Sequence, residues 1–183
     1  VAISWDAHTL AAANYTSTGT QNTTHACGAN ARGAVVVITQ ISADTDQVSG
    51  VTFNGAAMTR LEFVANPDEA AGVYLYFLDG ISGQGGNVTV AMTTTGNSGK
   101  RLSVHTLNTQ GAEYAVEAAS NSTGVASGTN PSVTVSGLST GRVYLGVMGV
   151  HSSLNAFPNT PGSGWTANHY ADEGTEGVGQ AYL

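Results

Sequence analysis

The stretch Val51-Thr52-Phe53-Asn54-Gly55-Ala56-Ala57-Met58-Thr59 decides how this chain is read. Asn-Gly between two runs of β-branched, aromatic and apolar residues is the strongest short-range hairpin signal. A type I′ turn needs positive φ at both central positions, and Asn and Gly tolerate it best. The reading is therefore two antiparallel strands meeting at Asn54-Gly55.

Outward from this turn the same grammar repeats. Upstream lies Ala34-Val35-Val36-Val37-Ile38-Thr39. Downstream come Met58-Thr59-Arg60-Leu61-Glu62-Phe63, Val73-Tyr74-Leu75-Tyr76-Phe77-Leu78, Asn87-Val88-Thr89-Val90-Ala91-Met92 and Leu102-Ser103-Val104-His105-Thr106-Leu107. Ser132-Val133-Thr134-Val135 and Arg142-Val143-Tyr144-Leu145-Gly146-Val147 complete the set. Val88, Val90 and Met92 share one face and Thr89 and Ala91 the other, which is the period of a half-buried strand. In Val73–Leu78 both parities are large and apolar, as in a strand covered on both faces or covered outside by another subunit.

Gly-rich separators such as Gly83-Gln84-Gly85-Gly86 and Thr95-Gly96-Asn97-Ser98-Gly99 stand between the runs. Helix is scarce: Asp68-Glu69-Ala70-Ala71 allows one turn at most, and Glu113 to Ala119 fits a strand or a short turn. Short strands, dense turns and no helical period define an all-β, two-sheet antiparallel β-sandwich of roughly eight or more strands. No linker divides the 183 residues, so 1–183 reads as a single domain. Its first part, 1–33, is Ala-, Thr- and Asn-rich with weak strand patterning and reads as an extended arm that orders on assembly.

Composition narrows the function. Charged residues make up 9% of the chain, far below the usual fraction of about 25%. Such a surface loses little on being covered by neighbours, because few charges must be desolvated. Five Lys and Arg against twelve Asp and Glu give a net charge of −7, and the basic residues are scattered. That pattern argues against nucleic acid, which demands a basic stripe. No apolar run reaches membrane-spanning length, so no membrane insertion is expected, and Val1-Ala2-Ile3-Ser4-Trp5 lacks the pattern of a signal peptide.

The Val51–Thr59 phrase resembles one common in jelly-roll domains of phage and bacterial surface proteins. There a V-T-(F/Y)-N-G-x-x-(M/L)-T hairpin precedes an aromatic strand such as Val73–Leu78, then a Gly-rich turn and a V-T-V strand such as Asn87–Val90. Gly164-Trp165-Thr166 and the Gly-rich run behind it extend the likeness. The resemblance implies a jelly-roll-like fold and a structural part of a virion or cell surface, such as a capsid decoration protein or tail-fibre module. It carries no catalytic residues. Similar domains run a further strand past the place of Ala181-Tyr182-Leu183, which implies different closure here or an edge supplied by a neighbouring subunit.

Catalytic patterns are sparse. Cys27, the lone cysteine, follows His25 but reads as a small buried hydrophobe. His8, His25, His105, His151 and His169 lack zinc-site spacing. Asp44-Thr45-Asp46 resembles a fragment of a calcium loop without its remaining ligands, and reads as a solvated turn. Glu62, Glu113 and Glu117 are unpaired in sequence, so nothing marks the carboxylate pair of a glycosidase. No nucleophile elbow or phosphate-binding loop occurs. Sequons at Asn14, Asn22, Asn87 and Asn121 follow from composition.

The expectation is a non-enzymatic virion structural protein, most readily a capsid decoration or stabilising protein. It needs no cofactor or metal, lies on the particle or cell surface, and acts as a homo-oligomer against protein neighbours in a capsid or fibre. The alternative is a carbohydrate- or receptor-binding module of a tail fibre or adhesin. Tyr74, Tyr76, Trp165 and Tyr170 are the expected interface or ligand contacts, with glycan stacking centred on Trp165, Tyr170 and Tyr15.

Overall fold

The computed structural model describes residues 3–11, 15–67, 70–81, 85–109, 170–173 and 176–179. Nine strands build two antiparallel sheets: β1 (Ile3–Leu10), β2 (Gly19–Cys27), β3 (Ala31–Gln40), β4 (Val48–Phe53), β5 (Ala56–Ala57), β6 (Thr59–Asn66), β7 (Ala71–Asp79), β8 (Gly86–Thr94) and β9 (Lys100–Thr109). The first sheet has the order β1-β9-β3-β7-β6 and the second β2-β8-β4-β5. A further hairpin joins β10 (Tyr170–Glu173) to β11 (Glu176–Gly179). The expected strands at 132–135 and 142–147, and the segment 113–119, lie outside the described residues.

The expected turn sits at the centre of this topology. Asn54 and Gly55 take φ of 48° and 82°, and Phe53 pairs with Ala56 across them. From that reversal the pairings nest: β4 with β5, β3 with β7, β2 with β8 and β1 with β9. The later half of the chain retraces the earlier half, while β6 adds to the first sheet beside β7.

Alternation decides which side chains enter the space between the sheets. Val36, Ile38, Tyr74, Tyr76, Leu102 and Val104 come from the first sheet. Val51, Phe53, Val88, Val90 and Met92 meet them from the second. The opposite parity of the first sheet is apolar as well: Val35, Val37 and Leu107 are buried in a second cluster with Trp5, Leu10, Val73, Leu75 and Phe77. Val73–Leu78 thus has apolar contacts on both faces. The outer face of the second sheet differs. Thr20, Asn22, Thr24, Asn87, Thr89 and Thr93 are exposed there.

Residues 1–33 depart from the reading as an extended arm. They supply β1 to one sheet and β2 to the other, each paired along its length. The pattern of β2 was obscured because its inward residues, Thr23, His25 and Cys27, are not large apolar ones. No α-helix occurs among the described residues: Pro67 is a single 3₁₀ position, Ala71 already belongs to β7, and 68–69 lie outside the described set.

Gly55→Val tests the turn. Its φ of 82° costs a β-branched residue about 1–2 kcal/mol, measured as a lower midpoint in urea denaturation.

Candidate functional site

Two groups of polar side chains stand out, one buried and one open. The buried group begins with a bulge. Register shifts between Trp5 and Ala7, and a bulge re-aims the extra side chain, here that of Asp6. Its Oδ2 accepts hydrogen bonds from the Gly28 N–H at 2.7 Å and the Thr106 hydroxyl at 2.9 Å. Gly28 is needed at this point, because a Cβ there would overlap the Asp6 carboxylate.

Thr106 gives its one proton to Asp6, so its oxygen accepts from His25 Nε2, 3.1 Å away. His25 Nδ1 then accepts from the Thr9 hydroxyl at 2.9 Å. His25 has no exposed surface, and its ring lies 6.1 Å from that of Phe53. Burial pushes its pKa from 6.5 down to about 4, with Asp6 opposing the shift and His8 adding to it. Cys27 is buried too, and burial raises its thiol pKa, the reverse of what activates a nucleophile. With both imidazole nitrogens engaged by threonines, His25 and Cys27 form no base and nucleophile pair. The arrangement is a saturated polar joint linking β1, β2 and β9.

The open group lies at the other end of β4. Gln40 Nε2 donates to the carbonyls of Ala43 and Thr45, at 2.9 and 2.8 Å, and so holds the turn that follows β3. The Tyr74 hydroxyl donates to Gln40 Oε1 at 3.1 Å and accepts from Gln47 N–H at 2.8 Å. From the far side comes Lys100, 1% exposed, whose Nζ reaches Gln47 Oε1 and Ser98 O, each at 3.0 Å. It also donates to Ser98 Oγ at 3.1 Å and Gly96 O at 3.2 Å. All four of these acceptors are neutral oxygens, and desolvation lowers the pKa of the ammonium. Held from both sides, the turn presents Asp46 at a fixed place.

A second bulge, between Arg60 and Glu62 in β6, accompanies the turning of Arg60 towards Asp46. Arg60 Nη1 donates to Asp46 Oδ2 at 2.6 Å, both side chains being 41% exposed. An ion pair this wet contributes under about 1 kcal/mol. Its guanidinium pKa is raised, chiefly by that hydrogen bond. The pair borders a cleft of about 450 Å³ whose wall also includes Ser49, Met58, Tyr76 and Thr95. The Tyr76 hydroxyl donates to Val48 O at 3.4 Å, and burial raises its pKa against the opposing effect of Arg60. The cleft thus offers a carboxylate, a guanidinium and hydroxyls beside one thioether.

Of the expected contact residues, Tyr74 and Tyr76 are corrected. They are 0% and 2% exposed, because the alternation of β7 sends them into the core and turns Val73, Leu75 and Phe77 the other way. Tyr76 still borders the cleft, but Tyr74 offers no surface for a neighbour to touch. Trp165 lies outside the described residues, and Tyr170 begins β10. Tyr15 is half-buried, its hydroxyl donating to Asn22 O at 2.9 Å.

His8 and His105 stack at 5.8 Å, and Trp5 meets His105 edge-on at 5.5 Å. Among the described residues no three His, Cys, Asp or Glu converge as a metal site would require. The Asp44-Thr45-Asp46 segment puts one Asp46 oxygen on Arg60 and the other on Val48 N–H at 3.3 Å. His151, His169, Glu113 and Glu117 lie outside the described residues. The pairing of Asp46 with Arg60 was missed because a turn, two strands and a bulge separate them. Sparse charge was the one available signal, since so few basic residues exist. No family model, curated protein or solved structure matches this chain.

The buried histidine has a measurable consequence. As pH falls through 6.5 the unfolded chain takes up a proton on His25, while the folded chain declines it until about 4. Stability from this residue is complete above pH 6.5 and drains away across that interval, by about 3 kcal/mol. His25→Gln should flatten the fall in folding free energy between pH 6.5 and 4, followed by urea denaturation.

Proposed function

We propose that this chain is a non-enzymatic structural protein of jelly-roll type, a decoration or stabilising component of a virion shell or a related surface assembly. The observation that carries the reading is the nested pairing about Asn54-Gly55, joined to the Thr- and Asn-covered outer face of the second sheet. A rolled antiparallel ribbon of this kind supports a jelly-roll plan, which many capsid and lectin domains share. The resemblance of the Val51–Thr59 phrase to surface-protein jelly rolls points the same way. An exterior so poor in charge favours burial against neighbours.

Electron microscopy of particles from the source, labelled with antibody raised against the full chain, tests this. Label distributed over shells or fibres is expected. Label confined to soluble material would overturn the reading.

The cleft beside Asp46 and Arg60 supports a second reading, as a binding module for a small hydroxyl-rich ligand such as a saccharide unit. Carboxylate and guanidinium edges with adjacent hydroxyls suit the donors and acceptors of a sugar. On a glycan array the full chain would then bind a discrete subset of glycans. Arg60→Ala would weaken that binding by about tenfold while leaving the thermal melt in place. Absence of any glycan signal removes this reading.

A further inference from the structure

Among the described residues the sandwich has four sheet edges, β1 and β6 on the first sheet and β2 and β5 on the second, and they are not treated alike. Exposed edges invite pairing with another chain, and proteins blunt them with bulges, charge or brevity. β1 is broken by the bulge at Asp6. β6 has the bulge between Arg60 and Glu62 and both of those charges. β5 is two residues long. β2 has none of these devices: nine residues pair with β8 in unbroken register, with no proline, no bulge and no Lys, Arg, Asp or Glu.

The direction of its backbone groups follows from the hydrogen bonds. Asn54 N–H donates to Thr89 O, so Thr89 faces β4, and its neighbours Val88 and Val90 face β2. Their partners His25 and Thr23 therefore bond inward, and Thr20, Asn22, Thr24 and Ala26 turn their N–H and C=O groups away from the sheet. Those four side chains are all exposed. Among the described residues the partner on this edge is the Tyr15 hydroxyl, which uses one lone pair of Asn22 O and leaves the other.

We propose that β2 pairs antiparallel with β2 of a second copy of this chain about a two-fold axis at Thr23. This deepens the assembly reading and rests on it for its biological use. With the axis there, Thr20 lies opposite Ala26 and Asn22 opposite Thr24, so all four outward residues of each copy find partners. The two four-stranded sheets join into one of eight strands. Two copies that each carry a net charge of −7 bring no ionised side chain of β2 against another, which selects a like partner as readily as an unlike one. About the two-fold axis each backbone pair is formed twice, so this one edge suffices to close a dimer of like copies. Threonines flank the seam on its exposed face, where cross-strand hydroxyl pairs such as Thr20 with Thr93 are already present within one copy.

Analytical ultracentrifugation of the full chain tests the pairing. Wild type sediments as a dimer at about 0.1 mM. Asn22→Lys with Thr24→Lys places like charges opposite one another at the seam and weakens the dimer by about a hundredfold. Asn22→Glu with Thr24→Glu does the same. Mixing the two variants restores a dimer, because each introduced ammonium at position 22 then faces a carboxylate at position 24. Circular dichroism and thermal melts establish that both variants fold. Should either misfold, Thr24→Pro deletes one outward N–H at an edge that tolerates proline and must also abolish the dimer.

A monomeric wild type, a dimer surviving the charge changes, or folded variants that do not recombine overturns the proposal. The particle labelling is independent of this result. Labelled shells with a monomeric chain reject only the β2 pairing. A dimer with unlabelled particles leaves the pairing standing and rejects only the shell role.

Discussion

A two-residue reversal at Asn54 and Gly55 is the constraint on which the rest of the sandwich depends. Positive φ at both positions gives a turn whose twist agrees with that of the strands leaving it. Once β4 and β5 run antiparallel, the following chain can retrace what preceded it, and β7, β8 and β9 take places beside β3, β2 and β1. The outermost pairing joins Ile3 to Thr109, a closure of more than a hundred residues that is favourable only after the inner pairs hold the ribbon together. The turn is the one local contact in this series, so its closure costs the least chain entropy.

Retracing also mixes early and late strands in each sheet, so the parity of every strand must agree with neighbours far away in sequence. A one-residue slip of β7 against β3 would exchange Tyr74 and Tyr76 for Val73, Leu75 and Phe77. Such a slip is unusually well tolerated by hydrophobicity alone, because both parities are apolar. The tyrosine hydroxyls remove the ambiguity. Tyr74 bonds Gln40 and Gln47, and Tyr76 bonds Val48 O, contacts that exist only in the observed register. Polar groups inside the sandwich thus supply specificity that the apolar pattern leaves open. Lys100 does the same at the next turn, its ammonium binding 96–98 to Gln47 through neutral oxygens.

The sequence was informative where burial and alternation coincide. β3, β4, β7, β8 and β9 were legible because Val, Ile, Tyr, Met and Leu occupy their inward positions. β1 and β2 were not, since Asp6, Thr9, Thr23 and His25 build a hydrogen-bonded joint where apolar residues would have advertised a strand. The cleft was illegible for a related reason. Asp46 and Arg60 are brought together by a turn and a bulge, and neither leaves a periodic trace. Reading Tyr74 and Tyr76 as contact residues failed because hydrophobic content on both parities hides which parity faces the core. The phenol oxygens point inward because Gln40, Gln47 and Val48 are there to meet them.

The sparse charge acquires a structural meaning once the edges are compared. A β-protein normally protects itself from edge pairing with lysines and acidic residues, and here that protection is concentrated on β6, whose Arg60 is itself tied to Asp46. The outer face of the second sheet instead carries Thr and Asn, which neither repel a like surface nor bind it strongly. On such a face, recognition shifts from side-chain charge to the geometry of the backbone, and among the described residues the outward N–H and C=O groups of β2 are one such directional feature. A chain that keeps β2 regular while breaking β1 and shortening β5 has left one edge able to extend its sheet. That asymmetry is the structural ground for the proposed pairing of two copies through β2.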